Sequence, residues 1–200
     1  QEDSQGKVQQ QENPLVLYHT NCMNIFAVDD DPVLAAHMLP DKHIVKMPLE
    51  CCQMLAIVFS KWYLNEGPVL KKDGTPYATE KGAFRNHPCT KWVAESDDNI
   101  QWLMQHGISL CEEYTYRYGK RHACQPTITL AALTYQHGCP DDHTPFARAM
   151  PDEWKYDEDI DTITAYQRYV ASKPWVATNY LRVPDRKPSW VDYHSTTSCV

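Results

Sequence analysis

From residue 41 onward the polar positions fall at helical spacing. His43, Lys46, Glu50 and Gln53 stand at i, i+3, i+7 and i+10. At 3.6 residues per turn these positions draw one narrow stripe. Ile44, Val45, Met47, Leu49, Cys51, Cys52 and residues 54–59 fill the rest with apolar side chains. The pattern predicts a long helix running from a cap at Asp41 toward Trp62, with Pro48 implying a kink or break. A polar stripe on such a helix faces water or lines a cleft. Most polar stripes face water, but imidazole, amine and carboxylate together are the groups that do acid–base work, which shifts the balance toward a cleft.

The same reading extends along the chain. Residues 24–28 form a short apolar run that reads as a strand, closed by Asp29, Asp30, Asp31 and Pro32. Asp31 and Pro32 open a short helix over 33–38, and Pro40 stops it. Residues 65–88 read as a long loop punctuated by Gly67, Pro68, Gly74 and Pro76, and loops of that length are usually functional or mobile. Ser96 is a good N-cap, with Asp97 and Asp98 in the next turn. Ile100, Leu103, Gly107, Leu110, Cys111, Tyr114 and Tyr118 keep helical spacing up to Gly119, which suits a helix end. Further helices are predicted over 127–136 and 161–171, with irregular chain over 138–154. The expected fold is mainly α: one compact helical domain over 23–190, with a short N-terminal strand and long loops. Residues 1–22 read as a loose polar arm, in which 15–18 form a short strand against the body, and 191–200 as a frayed tail.

Composition narrows the class. The 200 residues carry a net charge of −7, so any nucleic-acid contact needs a local basic patch. No apolar run approaches the length of a membrane span. The Gln-rich start lacks the apolar stretch of a signal peptide, which points to the cytoplasm. Eight cysteines include the neighbours Cys51 and Cys52 and no C-x-x-C pair. They read as reduced thiols, several acting as small core hydrophobes. His87, Cys89, Cys139 and His143 leave zinc open but follow no recognised ligand spacing. No metal or cofactor is expected.

Two clusters have competing readings. Residues 25–32 look like the first strand and acidic pocket of a receiver domain, but the helix that follows leaves no room for a second strand. The three aspartates bind a cation or cap a helix, and capping suits at least one of them. Arg117, Lys120, Arg121 and His122 sit at a helix C-terminus. They complement its dipole or, with Tyr114, Tyr116 and Tyr118, contact phosphate. Arg182, Arg186 and Lys187 form a second basic patch.

Several blocks resemble a family of small bacteriophage proteins. They are Met23-Asn24-Ile25-Phe26 with Asp31-Pro32, Asp41 through Met47, His87-Pro88 with Trp92, Leu110 through Lys120, Thr144 through Glu153, and Lys187-Pro188-Ser189-Trp190. These proteins are distantly similar to pyrimidine-dimer DNA glycosylases of the endonuclease V type. That resemblance implies an all-helical fold. It also implies attack on the sugar C1′ by an N-terminal α-amine, with a glutamate stabilising the intermediate and a Schiff base that permits strand cleavage. Gln1 opens a polar arm here, so its amine is poorly placed. A chain starting at Met23 would present the amine of Met23 or Asn24. Otherwise Lys46, desolvated in a helix cleft, is the expected replacement, with Glu50 as the carboxylate.

The reading that follows is a phage DNA-processing enzyme acting on a base or sugar, like a glycosylase or lyase, in the host cytoplasm. His43, Lys46, Glu50 and His87 would be catalytic, and Arg117, Lys120, Arg121 and Arg148 would hold phosphate. One alternative is an enzyme acting on free or modified nucleotides. The other is an interaction protein that binds a host factor through exposed aromatics. The partner is thus DNA or a nucleotide, with no membrane, and the oligomeric state stays open.

Overall fold

A computed structural model describes residues 23–195, so the arm predicted over 1–22 lies outside the described residues. Its described part is helical, with no strand. Asp31 accepts the Val33 and Leu34 amides and starts α1 (Pro32–Met38), as an aspartate N-cap followed by proline should. The second helix, α2 (Asp41–Val58), starts one residue earlier than expected: Pro40 is its cap, and Asp41 spends its carboxylate on Arg117. It runs through Pro48 without breaking. After a long loop come α3 (Pro88–Glu95) and α4 (Asp97–Tyr118), the latter capped by Ser96 through the Asn99 amide and closed by Gly119 at φ 68°. Then follow α5 (Gln125–Thr134), the single turn α6 (Asp152–Lys155), α7 (Thr162–Ala171) and α8 (Ser189–Ser195). The tail predicted to fray thus starts inside a helix, with Val191 fully buried.

Helices α2 and α4 form the centre. Helix α1 packs on α4, α5 packs on both, and α3 lies against both. Ile44, Met54, Leu55, Ile57, Ile100, Leu103, Leu110 and Ile128 lose all contact with water there. Each is worth about 1.5–3 kcal/mol. The two central helices touch where Gly107 meets Cys51: a Cβ at 107 would stand 2.5 Å from the Cys51 sulfur. This explains a small thiol facing a glycine in mid-helix. The six described cysteines are all free, five of them buried.

The expected strand over 24–28 does not form. The Asn24 side-chain oxygen accepts the Ile25 and Phe26 amides at 2.8 and 2.9 Å, so a side chain satisfies these donors in place of a ladder. Phe26 takes φ 42°, which no strand allows. The segment is instead a buried turn pinned from both sides. Asn24 Nδ2 donates to the Ala149 carbonyl at 2.7 Å, and Gln167 donates to the Val28 carbonyl at 3.0 Å.

Candidate functional site

Three residues of the α2 stripe, His43, Lys46 and Glu50, line a cleft of about 860 Å³, and Gln53 does not reach it. This lies within the usual size of ligand sites, about 300–1,000 Å³. Lys42, His43, Lys46, Met47 and Glu50 form one side, and the Asn24–Phe26 turn closes the end. The opposite wall comes from far along the chain: Pro151, Glu153 and Trp154 around α6, then Tyr169, Lys173, Pro174 and Trp175 at the end of α7.

Glu50 lies at the floor, 5 % exposed. Its Oε2 accepts the Asn24 backbone N–H at 3.0 Å, and its Oε1 meets the Lys46 ammonium at 3.0 Å. Burial raises its pKa, while Lys46 and the Asn24 amide pull it back down. Lys46 itself is half exposed, its side chain at 49 %. The desolvated lysine expected from the sequence is therefore absent. Being seven residues before Glu50 puts His43 on the same face, and there the ring is almost wholly buried. Phe26 stacks on it at 4.2 Å and 19°, and Trp175 meets it edge-on at 5.6 Å. Burial, then the charges of Lys173 and Lys46, lower its pKa to about 3, so the imidazole is neutral. The left-handed turn at Phe26 brings that ring onto His43. Backbone strain in a bulky residue is costly and clusters at functional sites.

Three lysines, Lys42, Lys46 and Lys173, face the two glutamates Glu50 and Glu153 in the cleft lining, a small cationic excess in a protein that is acidic as a whole. Lys42 sits 4.4 Å over the Trp175 ring and Lys173 sits 3.9 Å over Tyr169. Lys42 also lines a neighbouring groove of about 590 Å³ with Tyr118, Asn179 and Arg182, where the Arg182 guanidinium lies 4.3 Å over the Tyr118 ring.

Three of the other site residues expected from the sequence do different work. His87 caps α3, its Nδ1 accepting the Cys89 amide at 3.2 Å, and is not a cleft-lining side chain. Arg117 is buried and cannot meet a phosphate. It donates to the carboxylates of Glu113 and Asp41 and to the carbonyls of Leu39 and His37, all within 3.1 Å. Arg148 is likewise spent: it donates to the carbonyls of Trp154, Asp157 and Ile160 and to Thr162. It thereby laces the segment that carries Trp154. Only Lys120 and Arg121 stay exposed, just past α4. The reading from sequence named Asn24 only as an alternative terminal amine and missed Trp154, Tyr169, Lys173 and Trp175. The one visible hint was an aromatic beside Lys173 and Pro174 in a tail rich in proline.

Among the described residues, Asp97, His137 and Asp141 are one group whose ligand atoms could reach a common ion. Asp97 is already committed, accepting from Tyr135 at 2.5 Å, His137 at 2.9 Å and the Cys139 amide at 2.9 Å. The four zinc candidates do not converge. His143 packs on Trp92 and Phe146, and the Cys139 thiol points to the Ala94 carbonyl at 3.5 Å.

The family model for pyrimidine dimer DNA glycosylase matches residues 23–126, just over half of the chain. That stretch holds Asn24, His43, Lys46 and Glu50, and ends before the aromatic wall. Neither a curated protein nor a solved structure matches the chain. With its helical fold, and with a buried carboxylate at the floor of a cleft lined by three lysines, the chain belongs to the pyrimidine dimer DNA glycosylase family.

Proposed function

We propose that this protein is a bacteriophage DNA glycosylase that acts, in the host cytoplasm, on the bond between sugar and damaged base, and that residues 23–190 form its single working domain. The observation that carries the reading is the pair of nitrogens, Asn24 N and Lys46 Nζ, each 3.0 Å from the Glu50 carboxylate. An amine at the Asn24 point attacks the sugar C1′. The C1′–base bond breaks and the base leaves with its electron pair. Glu50 stabilises the positive charge that develops on the sugar, and the amine adduct becomes an imine as the C1′–O4′ bond breaks, the departing base and the ring oxygen each taking up one of the amine's two protons.

The Asn24 nitrogen is an amide while residues precede it, and an amide is a poor nucleophile. A chain whose first residue is Asn24 presents a primary amine at the same point. Lys46 then serves as the counter-charge of Glu50. Its half exposure leaves it without the apolar shielding that makes a lysine nucleophilic. Lys42, Lys173, Lys120 and Arg121 meet phosphates.

Borohydride trapping on abasic and ultraviolet-irradiated duplexes tests this. A chain beginning at Asn24, released from a cleavable tag, is expected to cross-link and to keep doing so after Lys46→Ala. Trapping by the 200-residue chain that Lys46→Ala abolishes would reassign the nucleophile to Lys46. Absence of trapping in both chains would overturn the glycosylase reading.

A further inference from the structure

Away from the cleft, the junction of α2 and α5 gathers reactive groups that glycosylase chemistry leaves unused. Cys124 stands at the head of α5, Cys52 comes from the middle of α2, and Tyr77 comes from the long loop. The Cys52 thiol reaches the Cys124 carbonyl at 4.0 Å, and the Tyr77 hydroxyl lies 4.0 Å from the Cys124 sulfur. The two thiols also share a hydrogen bond. His122 braces this arrangement. Its Nδ1 accepts the Cys124 amide at 3.1 Å, and its Nε2 donates to the Val45 carbonyl of α2 at 3.2 Å.

The two sulfurs are not equivalent. Cys124 keeps 6 % of its surface exposed, whereas Cys52 keeps none. The Cys52 thiol, and after it His122 and Tyr77, hold the Cys124 thiol below its ordinary range against the upward push of burial. The N-terminal end of α5 favours a negative sulfur at the same point. Burial pushes the Cys51, Cys111 and Cys139 thiols the other way. A thiolate with some access is the sulfur that oxidants attack, and a thiol beside it is the one that resolves the product.

We propose that Cys124 and Cys52 form an oxidisable pair, which a hydroperoxide converts to a disulfide tying α2 to the head of α5. The Cys124 sulfur attacks one peroxide oxygen, and the O–O bond breaks. The departing hydroxide takes up the proton that Cys124 gave up and leaves as water. Cys124 is now a sulfenic acid. The Cys52 sulfur attacks it, the S–O bond breaks, and the second hydroxide leaves as water with the Cys52 proton. Two thiols are oxidised by two electrons while hydrogen peroxide is reduced to two waters. Cys52 follows Glu50 by two residues, so the bond would form on the helix that carries the cleft floor.

Hydrogen peroxide added to the folded 200-residue chain tests this, with the remaining thiols alkylated in denaturant and the linked peptides sequenced by mass spectrometry. Two of the eight thiols should disappear, joined as Cys52–Cys124, and dithiothreitol should restore both. Cys51→Ala should form the same bond. Cys52→Ala removes the resolving sulfur and should stop at a Cys124 sulfenic acid, which dimedone captures about tenfold faster than at any other described cysteine. The linkage in the parent chain decides the matter even where a variant fails to fold. A parent chain that keeps all its thiols would overturn the proposal. So would a bond that uses Cys51 or Cys111, a bond between two chains, or dimedone capture at a different cysteine in a folded Cys52→Ala protein.

Discussion

Two of the polar clusters buried among the described residues, those around Arg117 and Glu50, differ in how completely they are satisfied. Around Arg117, every charge has a partner. The guanidinium bridges Glu113, Asp41 and the last carbonyls of α1, and Glu113 also receives Arg186 at 3.2 Å. Around Glu50 the satisfaction stops short. Lys46 is half in water, His43 keeps an orphan nitrogen, and Phe26 holds a strained turn. A closed network stabilises, whereas groups left unsatisfied beside a cavity are kept for a ligand. The first cluster fastens α1, α2 and α4 together, and the second faces substrate.

Substitutions on the two sides of that comparison should separate cleanly. Glu50→Gln should lower the single-turnover rate on irradiated duplex by about two to three orders of magnitude, the usual effect of losing one electrostatic stabiliser. Its melting temperature should change little, since the amide oxygen still accepts the Asn24 N–H. Arg117→Ala should do the reverse. Breaking a buried ion pair costs about 3–5 kcal/mol. In a domain of this size that is a fall of roughly 10 °C by calorimetry. An Arg117→Ala protein that melts like the parent would show that the closed network contributes nothing.

Acid should sharpen the same contrast. His43 and His106 are buried and neutral, with pKa values lowered to about 3 and about 4. Both groups bind protons more readily in the unfolded chain. The stability they contribute is therefore complete above their ordinary value of 6.5 and is lost as pH falls toward 4 and then 3. Glu50, whose pKa is raised, works in the opposite sense: its contribution is present in acid and fades as pH rises through its folded value. Denaturant titrations at pH 7 and pH 4 should show a net loss on acidification, on the order of 3 kcal/mol for each histidine. His43→Phe should remove its share and flatten the curve. An unchanged pH slope in that variant would contradict the burial argument.

The smallest effects belong to the exposed cations. Lys120→Ala and Arg121→Ala should each weaken DNA binding by a few-fold and reduce the slope of log affinity against log salt by about one. Arg148→Ala should lower the melting temperature, because its donors hold the segment around α6.

Much of the fold could be read from local pattern. Ser96 and Gly119 bracket α4, Asp31 and Asp161 start their helices, and His43, Lys46 and Glu50 on α2 line a cavity as their mixed chemistry suggested. What escaped was long-range. Arg117 looks like a surface cation beside Lys120 and Arg121, and only the arrival of α1 carbonyls takes it inside. Residues 24–28 are apolar enough for a strand, yet Asn24 captures the amides that a strand would have offered. The aromatic wall is assembled from Trp154, Tyr169 and Trp175, far along the chain from α2, and no periodicity announces it.

Mass spectrometry of the borohydride-trapped adduct is the most direct test of the central claim. With a chain beginning at Asn24, the sugar remnant is predicted on the α-nitrogen of Asn24, in the peptide that also carries Phe26. A remnant on Lys46 Nζ would contradict the account.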